Sequence, residues 1–249
     1  MSTIDALLLV GAGLFAGFIN TIAGGGSLLT MPLLIFMGLP SSEANASNRV
    51  ALFIQNIFSV QGFRSKGISV FPFAFYVAMS ATLGAIIGSS LAVDISSQLF
   101  NRILAIVMIV VIILTVIRPY LSRTRFAETF TPKNKAASIL LFFVIGIYGG
   151  FIQAGVGFLI IASLTGIHGL GMAKTNSVKV FVILCYTLVA LIVFVIEDQV
   201  RWQYGLTLAA GNSLGGWVSS RWSVGKNDRY IRFILIVTVS ALAIKLWFF

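Results

Sequence analysis

Two apolar stretches of this chain are interrupted in the same way, one in each half. The first stops at residues 23–27, which read Ala-Gly-Gly-Gly-Ser, and the second stops at residues 153–157, which read Gln-Ala-Gly-Val-Gly. Each interruption follows a similar sequence, at residues 13–20 and 146–153, and precedes a short apolar segment. Unpaired backbone cannot lie in lipid, so a broken helix at membrane depth must line protein or a polar cavity. Paired breaks of this kind predict a secondary transporter that binds its substrate at the breaks.

The composition predicts a membrane protein. Of the 249 residues, 58% are hydrophobic and only 10% are charged, whereas soluble domains carry about 25% charged residues. The apolar runs are long and continuous rather than alternating, which excludes a transmembrane barrel. We therefore expect an all-α polytopic membrane protein.

The apolar runs divide the chain into two halves of about five transmembrane segments each. A basic linker at 118–135 separates a first repeat at 1–117 from a second repeat at 136–249. The predicted segments are 4–23, 27–39, 45–62, 71–92, 99–117, 136–153, 156–167, 175–196, 203–220 and 230–248.

The two halves also share short sequences in the same order. Residues 47–48 correspond to 175–176, and residues 83–84 correspond to 214–215. An odd number of crossings in each half makes the repeats inverted. We therefore expect two inverted repeats whose glycine-broken short helices meet near the membrane midplane.

The charge pattern predicts the orientation. The net charge of +10 does not indicate nucleic-acid binding, because the basic residues lie in short loops between apolar segments, as membrane insertion demands. If both termini lie outside, the basic loops gather inside and Glu43 and Asp94 lie outside, with Arg201 as an exception. This pattern leaves open whether the segments at 27–39 and 156–167 cross fully or turn back.

The sequence lacks the residue clusters of enzymes and metal sites. It contains one histidine and one cysteine, His168 and Cys185, and no acidic residue lies in the middle of an apolar segment. Metal sites and acid–base pairs need such groups, so we expect no metal, no cofactor and no enzymatic activity. Proton coupling through a carboxylate is also disfavoured. We expect His168, in a loop, to be a solvated polar residue.

Two basic residues lie near the start of corresponding segments, and they are candidates for an anion site. Arg49 follows Asn48, and Lys179 follows Thr175 and Asn176. An intramembrane arginine costs a few kcal/mol, so it normally faces the protein interior and a partner. The functional interpretation is an anion site of two cations and neighbouring amides. The alternative is that both side chains snorkel to the membrane surface.

The glycine breaks add a second reason to expect anion binding. A helix that restarts after a break presents unpaired N–H groups and a positive dipole end, and such ends bind anions. The candidate substrate-binding residues are Asn20, Gly24, Gly25, Gly26, Ser27, Asn48, Arg49, Gln153, Gly155, Gly157, Thr175, Asn176 and Lys179.

These motifs resemble a known family. Residues 17–27, Pro32 and residues 44–49 are similar to the first half of the sulfite exporter TauE/SafE family, and residues 146–176 are similar to its repeat. The resemblance covers nearly the whole chain. It implies a bacterial cytoplasmic-membrane transporter of small sulfur-containing anions. Residues 155–157 replace the glycine triplet with Gly-Val-Gly, so we expect imperfect symmetry at the site.

The resemblance thus implies a secondary transporter that exports sulfite, sulfoacetate or a related organosulfonate, and we expect the membrane potential to drive it. An inside-negative potential supplies about 2.3 kcal/mol per charge per 100 mV for anion exit. The expected partners are the small anion and the lipid bilayer, and a homodimer is left open. One alternative is a Na⁺- or H⁺-coupled importer, since carbonyl groups at the breaks suit a cation. Another is a non-transporting membrane subunit, which the short loops disfavour.

Overall fold

The structure is a computed structural model that describes residues 1–121 and 128–222. Within these residues it consists of helices joined by short loops and contains no strand. The all-helical class predicted from the sequence is therefore confirmed for this part of the chain. The helices are α1 Thr3–Ala23, α2 Ser27–Phe36, α3 Ser41–Arg64, α4 Phe73–Val93, α5 Ser97–Leu121, α6 Pro132–Phe151, α7 Val156–His168, α8 Met172–Ile196 and α9 Trp202–Trp222.

The described helices follow the predicted segments, with shifts of a few residues at their ends. The third begins at Ser41 rather than at residue 45, directly after Pro40, which is the extended N-cap residue. The second ends before residue 39, because Gly38 takes a left-handed φ of 92°. The predicted segment 230–248 and linker residues 122–127 lie outside the described residues.

Four of the described helices, α1, α4, α6 and α8, are long and apolar enough to cross a membrane. Their outward side chains include Leu83, Leu140 and Ile196, which are 56%, 71% and 74% exposed. Helix α2 has 10 residues and α7 has 13, so at 1.5 Å per residue they are about 15 Å and 20 Å long. Both are shorter than a hydrocarbon core of about 30 Å. The chain is therefore a polytopic membrane protein with two short internal helices.

Helices from opposite halves pack against each other through glycines. Helix α1 lies along α9, where Gly17 abuts the Asn212 backbone and Gly215 abuts the carbonyl of Leu14. Helix α4 lies along α6, where Gly150 abuts Ala85 in the same way. A side chain at any of these positions would clash with backbone, so the glycines set the helix separation.

The helix contacts come in matching pairs. Helix α1 of the first half contacts α9, and helix α6, at the corresponding place in the second half, contacts α4. In the same way, α3 contacts α9 and α8 contacts α4. Helices α3 and α8 also pack on each other. Two equivalent halves, in which α6–α9 repeat α1–α4, would produce this arrangement, and it places α3 and α8 together at the centre.

The histidine at the end of α7 is buried rather than solvated, so that prediction was wrong. Its ring packs between Phe73 and Phe130, with centroid separations of 4.5 and 5.1 Å. The His168 Nδ1 lies 2.7 Å from the carbonyl of Thr129, and Nε2 lies 2.8 Å from the hydroxyl of Ser138. His168 thus ties the end of the linker to α6 and α7.

The basic exception in the charge pattern is paired with an acid. Arg201, just before α9, donates to both carboxylate oxygens of Glu43 at 2.6 and 2.7 Å, and this carboxylate raises the pKa of Arg201. The backbone N–H of Arg201 also donates to the hydroxyl of Ser47 at 2.9 Å. The loop before α9 is thereby fixed to the first part of α3. The orientation of the termini stays a prediction.

Candidate functional site

The two breaks touch each other. Gly24 ends α1 in a left-handed conformation, with φ of 87°. A Cβ atom added to Gly24 would lie 2.5 Å from the Cα of Gly157, near the start of α7. Real Cβ atoms do not approach backbone so closely, so only glycine fits at this contact. The expected meeting of the two glycine breaks is therefore present in the structure.

Each break folds back onto the helix that precedes it. Gly26 lies against the carbonyl of Ala16, two turns before the end of α1, and its N–H donates to Asn20 Oδ1 at 3.3 Å. In the second half, the hydroxyl of Tyr148 donates to the carbonyl of Ala154. A polar side chain of the preceding helix thus holds each break in place.

Arg49 is completely buried and binds the second break. Its Nη1 donates to the carbonyl of Gly149 and to Gln153 Oε1, both at 3.0 Å. Its Nη2 donates to the carbonyl of Gly150 at 2.6 Å and to Asn45 Oδ1 at 3.4 Å. These carbonyls belong to the last turn of α6, the negative end of the helix dipole. The guanidinium therefore caps α6 from the opposite half of the chain.

Lys179 does the same for the first break. Its Nζ donates to the carbonyls of Asn20 and Thr21 at 3.0 and 2.8 Å, and to Asn176 Oδ1 at 2.9 Å. The two carbonyls belong to the last turn of α1. Lys179 on α8 and Arg49 on α3 thus bind the broken helices of each other's half.

The alternative in which these two side chains snorkel to the membrane surface is wrong. Both Arg49 and Lys179 have 0% exposure, because α3 and α8 pack on each other at the centre of the protein. The cations lie inside the protein and bind helix ends. Their role in substrate binding stays a prediction.

The starts of α2 and α7 offer fewer free donors than the sequence predicted. The N–H of Leu28 donates to the carbonyl of Gly25, and that of Leu29 donates to Gly26. The N–H of Phe158 likewise donates to the carbonyl of Gly155. Short local turns satisfy these groups, so the positive charge at the centre comes mainly from the two side chains.

A buried polar network that the sequence analysis did not assign surrounds the first break. Gln55 Oε1 accepts from Asn20 at 3.2 Å and from Asn212 at 3.4 Å, and Gln55 Nε2 donates to the hydroxyl of Thr21 at 3.3 Å. Thr21 in turn bonds the hydroxyl of Ser59 at 3.0 Å. Polar residues inside an otherwise apolar segment signalled these positions, but not their partners.

Three buried donors in this region make no hydrogen bond of good geometry: Arg49 Nε, Asn48 Nδ2 and the hydroxyl of Tyr186, which has only a weaker interaction with the side chain of Gln153. The Tyr186 hydroxyl lies beside Gly149, whose carbonyl binds Arg49. An unpaired buried donor costs about 1–3 kcal/mol, so native proteins retain few of them. Arg49 and Tyr186 therefore bring two spare donors and a positive charge to the second break, whereas Asn48 accepts from the hydroxyl of Thr30 on α2 at 2.7 Å.

The remaining candidate residues lie at or near the breaks, with one exception. Ser27 and Gly155 are buried at the starts of the short helices, and Asn176 binds Lys179. The hydroxyl of Thr175, however, donates to the carbonyl of Leu170 at 3.2 Å. Thr175 thus makes its hydrogen bond in the loop before α8 rather than at a break. No three His, Cys, Asp or Glu side chains converge anywhere in the described part of the chain.

Comparison with known proteins gives a consistent result over nearly the full length. A model of the family described as sulfite exporter TauE/SafE matches residues 9–246. The chain is similar to "Probable membrane transporter protein ORF9" of Sinorhizobium sp, with 26% identity over 235 residues covering 94% of this chain and 89% of that protein.

Other bacterial proteins show the same level of similarity. "Probable membrane transporter protein YfcA" of Escherichia coli (strain K12) is 24% identical over 239 residues, covering 94% of this chain and 86% of that protein. A "Probable membrane transporter protein" of Haemophilus influenzae is 23% identical over 240 residues, covering 94% of this chain and 91% of that protein. No solved structure matches the chain.

Proposed function

The chain belongs to the sulfite exporter TauE/SafE family, and from this premise we propose that it exports a small sulfur-containing anion, such as sulfite, sulfoacetate or a related organosulfonate. That it is a multi-pass transporter of a bacterial cytoplasmic membrane follows from the family, the bacterial relatives and the apolar helices. The anion, the outward direction and the driving force are the parts we propose.

The observation that carries the proposal is the burial of the Arg49 side chain without a negatively charged partner. It is fully buried, its four hydrogen-bond partners are neutral oxygens, and its Nε has no partner. The ion pairs of the described residues are Lys174–Glu128 and Arg201–Glu43, so no carboxylate there neutralises this charge. A buried charge of this kind calls for a counter-ion, and a small anion would supply it.

The binding free energy that these groups would give an anion amounts to several kcal/mol. Two unit charges 4 Å apart attract each other by about 4 kcal/mol at an effective dielectric constant of 20. Each additional hydrogen bond to a charged group, from Arg49 Nε or the Tyr186 hydroxyl, contributes about 1.5–3 kcal/mol. An oxyanion, with several acceptor oxygens, can accept from both donors, whereas a halide offers no directional acceptor.

The described conformation is closed around this centre. Asn20, Arg49, Gln153 and Lys179 are all between 0% and 4% exposed, so an anion can reach Arg49 only if the packing changes. Alternating access in carriers with broken helices arises from rocking one repeat against the other. Such a motion would change the contacts between the halves, both along the paired helices and at the breaks.

We also propose that residues 1–117 and 136–249 are two inverted repeats joined by the linker at 118–135. The matching helix contacts and the reciprocal binding of Arg49 and Lys179 to the breaks support this division. The repeats differ at the breaks, since one contributes arginine and the other lysine. This difference favours one dominant anion-binding residue, Arg49.

The test is electrical recording on proteoliposomes that contain the purified protein. Sulfite, sulfate, sulfoacetate, taurine and acetate are applied in turn at fixed pH. We expect currents for sulfite or the sulfonates and none for acetate, with a sign that corresponds to anion movement. A flux measurement at several imposed voltages then checks the driving force, which the proposal requires to be the membrane potential.

Two results would contradict the proposal. If labelled sulfite and sulfonates give neither current nor flux with protein that is folded in the membrane, the chain does not carry these anions. If they are carried at a rate that does not depend on the imposed voltage, the membrane potential is not the driving force. Flux that requires Na⁺ or a proton gradient would instead favour a coupled carrier.

A further inference from the structure

The oxygens around Lys179 form a cation site. Three oxygens surround its Nζ at 2.8 to 3.0 Å: the carbonyls of Asn20 and Thr21 and the side-chain oxygen of Asn176. Two of these oxygens are carbonyls of the last turn of α1, the negative end of the helix dipole. In carriers with broken helices, such carbonyl ends coordinate the coupling cation. Here a side chain from the other half of the protein takes that place.

We propose that Lys179 is a tethered monovalent cation: its ammonium group fills a cation-binding site at the first break, and a shortened side chain would leave a site for a free small cation. The three oxygens are neutral, and neutral oxygens bind Na⁺, K⁺ and alkylammonium ions alike. The wild-type protein therefore needs no free cation at this break. This inference concerns the cation site alone and is independent of which anion is carried.

The second break shows why the proposal is limited to Lys179. Arg49 also supplies a positive charge to helix-end carbonyls, at Gly149 and Gly150, but its two nitrogens reach four separate oxygens. A single small ion cannot contact all four oxygens at once, so it could not replace these directed hydrogen bonds. An ammonium group is a compact charge, so a free ion can replace it. The two breaks should thus respond differently to loss of their cations.

The experiment is chemical rescue of Lys179→Ala in detergent, read out as the unfolding temperature. The substitution removes the three methylenes beyond Cβ and the ammonium group, which together have the size of n-propylammonium. Samples are compared in n-propylammonium chloride, NaCl, KCl and choline chloride at equal ionic strength. No anion substrate is present, so the result does not depend on the proposed transport activity.

We expect Lys179→Ala to unfold at a lower temperature than the wild type in choline chloride and to regain stability with saturable dependence on n-propylammonium. At about ten times the dissociation constant, the recovery should be roughly 3–6 °C for a chain of this size. A smaller recovery is expected with Na⁺ or K⁺. The wild type should unfold at the same temperature in all four salts.

The matched control is Lys179→Met, whose unbranched side chain fills much of the same space without a charge. This variant should be destabilised but should not respond to n-propylammonium, because the site is occupied. Equal unfolding temperatures of Lys179→Ala in all four salts would overturn the proposal, and so would a response of Lys179→Met as large as that of Lys179→Ala. If Lys179→Ala is recovered folded only when purified with a small cation, the proposal is supported; if no salt permits folding, it is overturned.

Discussion

Replacing Gly24 by alanine tests whether contact between the two breaks matters. Gly24 is buried, has φ of 87° and lies against the backbone of Gly157, where an added Cβ would be 2.5 Å from Cα. Alanine at this position would have both a conformational cost and a steric cost. It must adopt a left-handed conformation, and its methyl group must push the two breaks apart.

The two costs can be estimated separately. The left-handed conformation costs alanine about 1–2 kcal/mol. Forcing a methyl group into a fully packed contact costs about 1–3 kcal/mol more. The neighbouring atoms at Gly157 are backbone, which cannot rotate away as a side chain could. We therefore expect Gly24→Ala to lower the free energy of unfolding by about 2–5 kcal/mol in total.

Gly38 provides a matched control. It is also left-handed, with φ of 92°, but an added Cβ would have nothing within 4 Å. Gly38→Ala should therefore show only the conformational cost of about 1–2 kcal/mol. The difference between the two variants isolates the contact between the breaks.

The assay is equilibrium unfolding in mixed detergent, followed by anion flux in proteoliposomes for each folded variant. We expect Gly24→Ala to be the less stable by about 1–3 kcal/mol and to transport at less than a tenth of the wild-type rate, while Gly38→Ala keeps the wild-type rate. Equal stability and equal flux of the two variants would refute the reasoning, because the contact at Gly24 would then have no consequence.

Three further predictions concern single side chains. Tyr186→Phe removes one donor to the charged anion at the second break and should raise KM for the anion about 10- to 150-fold with little change in kcat, as measured by initial flux rates. Ser138→Ala removes a partner of buried His168 and should lower the free energy of unfolding by about 1–2 kcal/mol, with transport unchanged in flux assays. Arg49→Gln should lose the increase in unfolding temperature that sulfite gives the wild type; retention of that increase would place the anion elsewhere.

Much of the fold could be predicted because its signals are local. The apolar runs predict membrane helices, and glycines with positive φ, such as Gly24 and Gly155, interrupt these runs where the helices end. Four-residue spacing of glycines in α1, at Gly13 and Gly17, places both on one face, and this face packs on α9. Such features depend on residues that are close in sequence.

The partners at the site could not be predicted, because they are far apart in the chain. The sequence shows that a buried cation needs a partner, but it does not show that Arg49 binds carbonyls 100 and 101 residues away or that Lys179 binds carbonyls 158 and 159 residues away. A backbone carbonyl carries no signal in the sequence, since every residue has one. The sequence therefore leaves open whether Arg49 and Lys179 lie inside the protein or at the membrane surface, and it does not identify the helix ends that they bind.

Two other residues show the same limit. His168 was expected in solvent because of its place in a loop, but Phe73 and Phe130 cover its ring, and neither adjoins it in sequence. Tyr186 lies within the predicted apolar segment 175–196. Its position seven residues after Lys179, two turns along the same face of α8, was the available signal.

The central claim is that Arg49 binds an anion that the protein carries across the membrane. The most direct measurement is the current that a step in sulfite concentration produces in proteoliposomes, with wild type and folded Arg49→Gln reconstituted at equal density. If Arg49 binds the anion, the wild type gives a current and the variant gives less than a tenth of it. Equal currents from both proteins would show that anion movement does not involve Arg49.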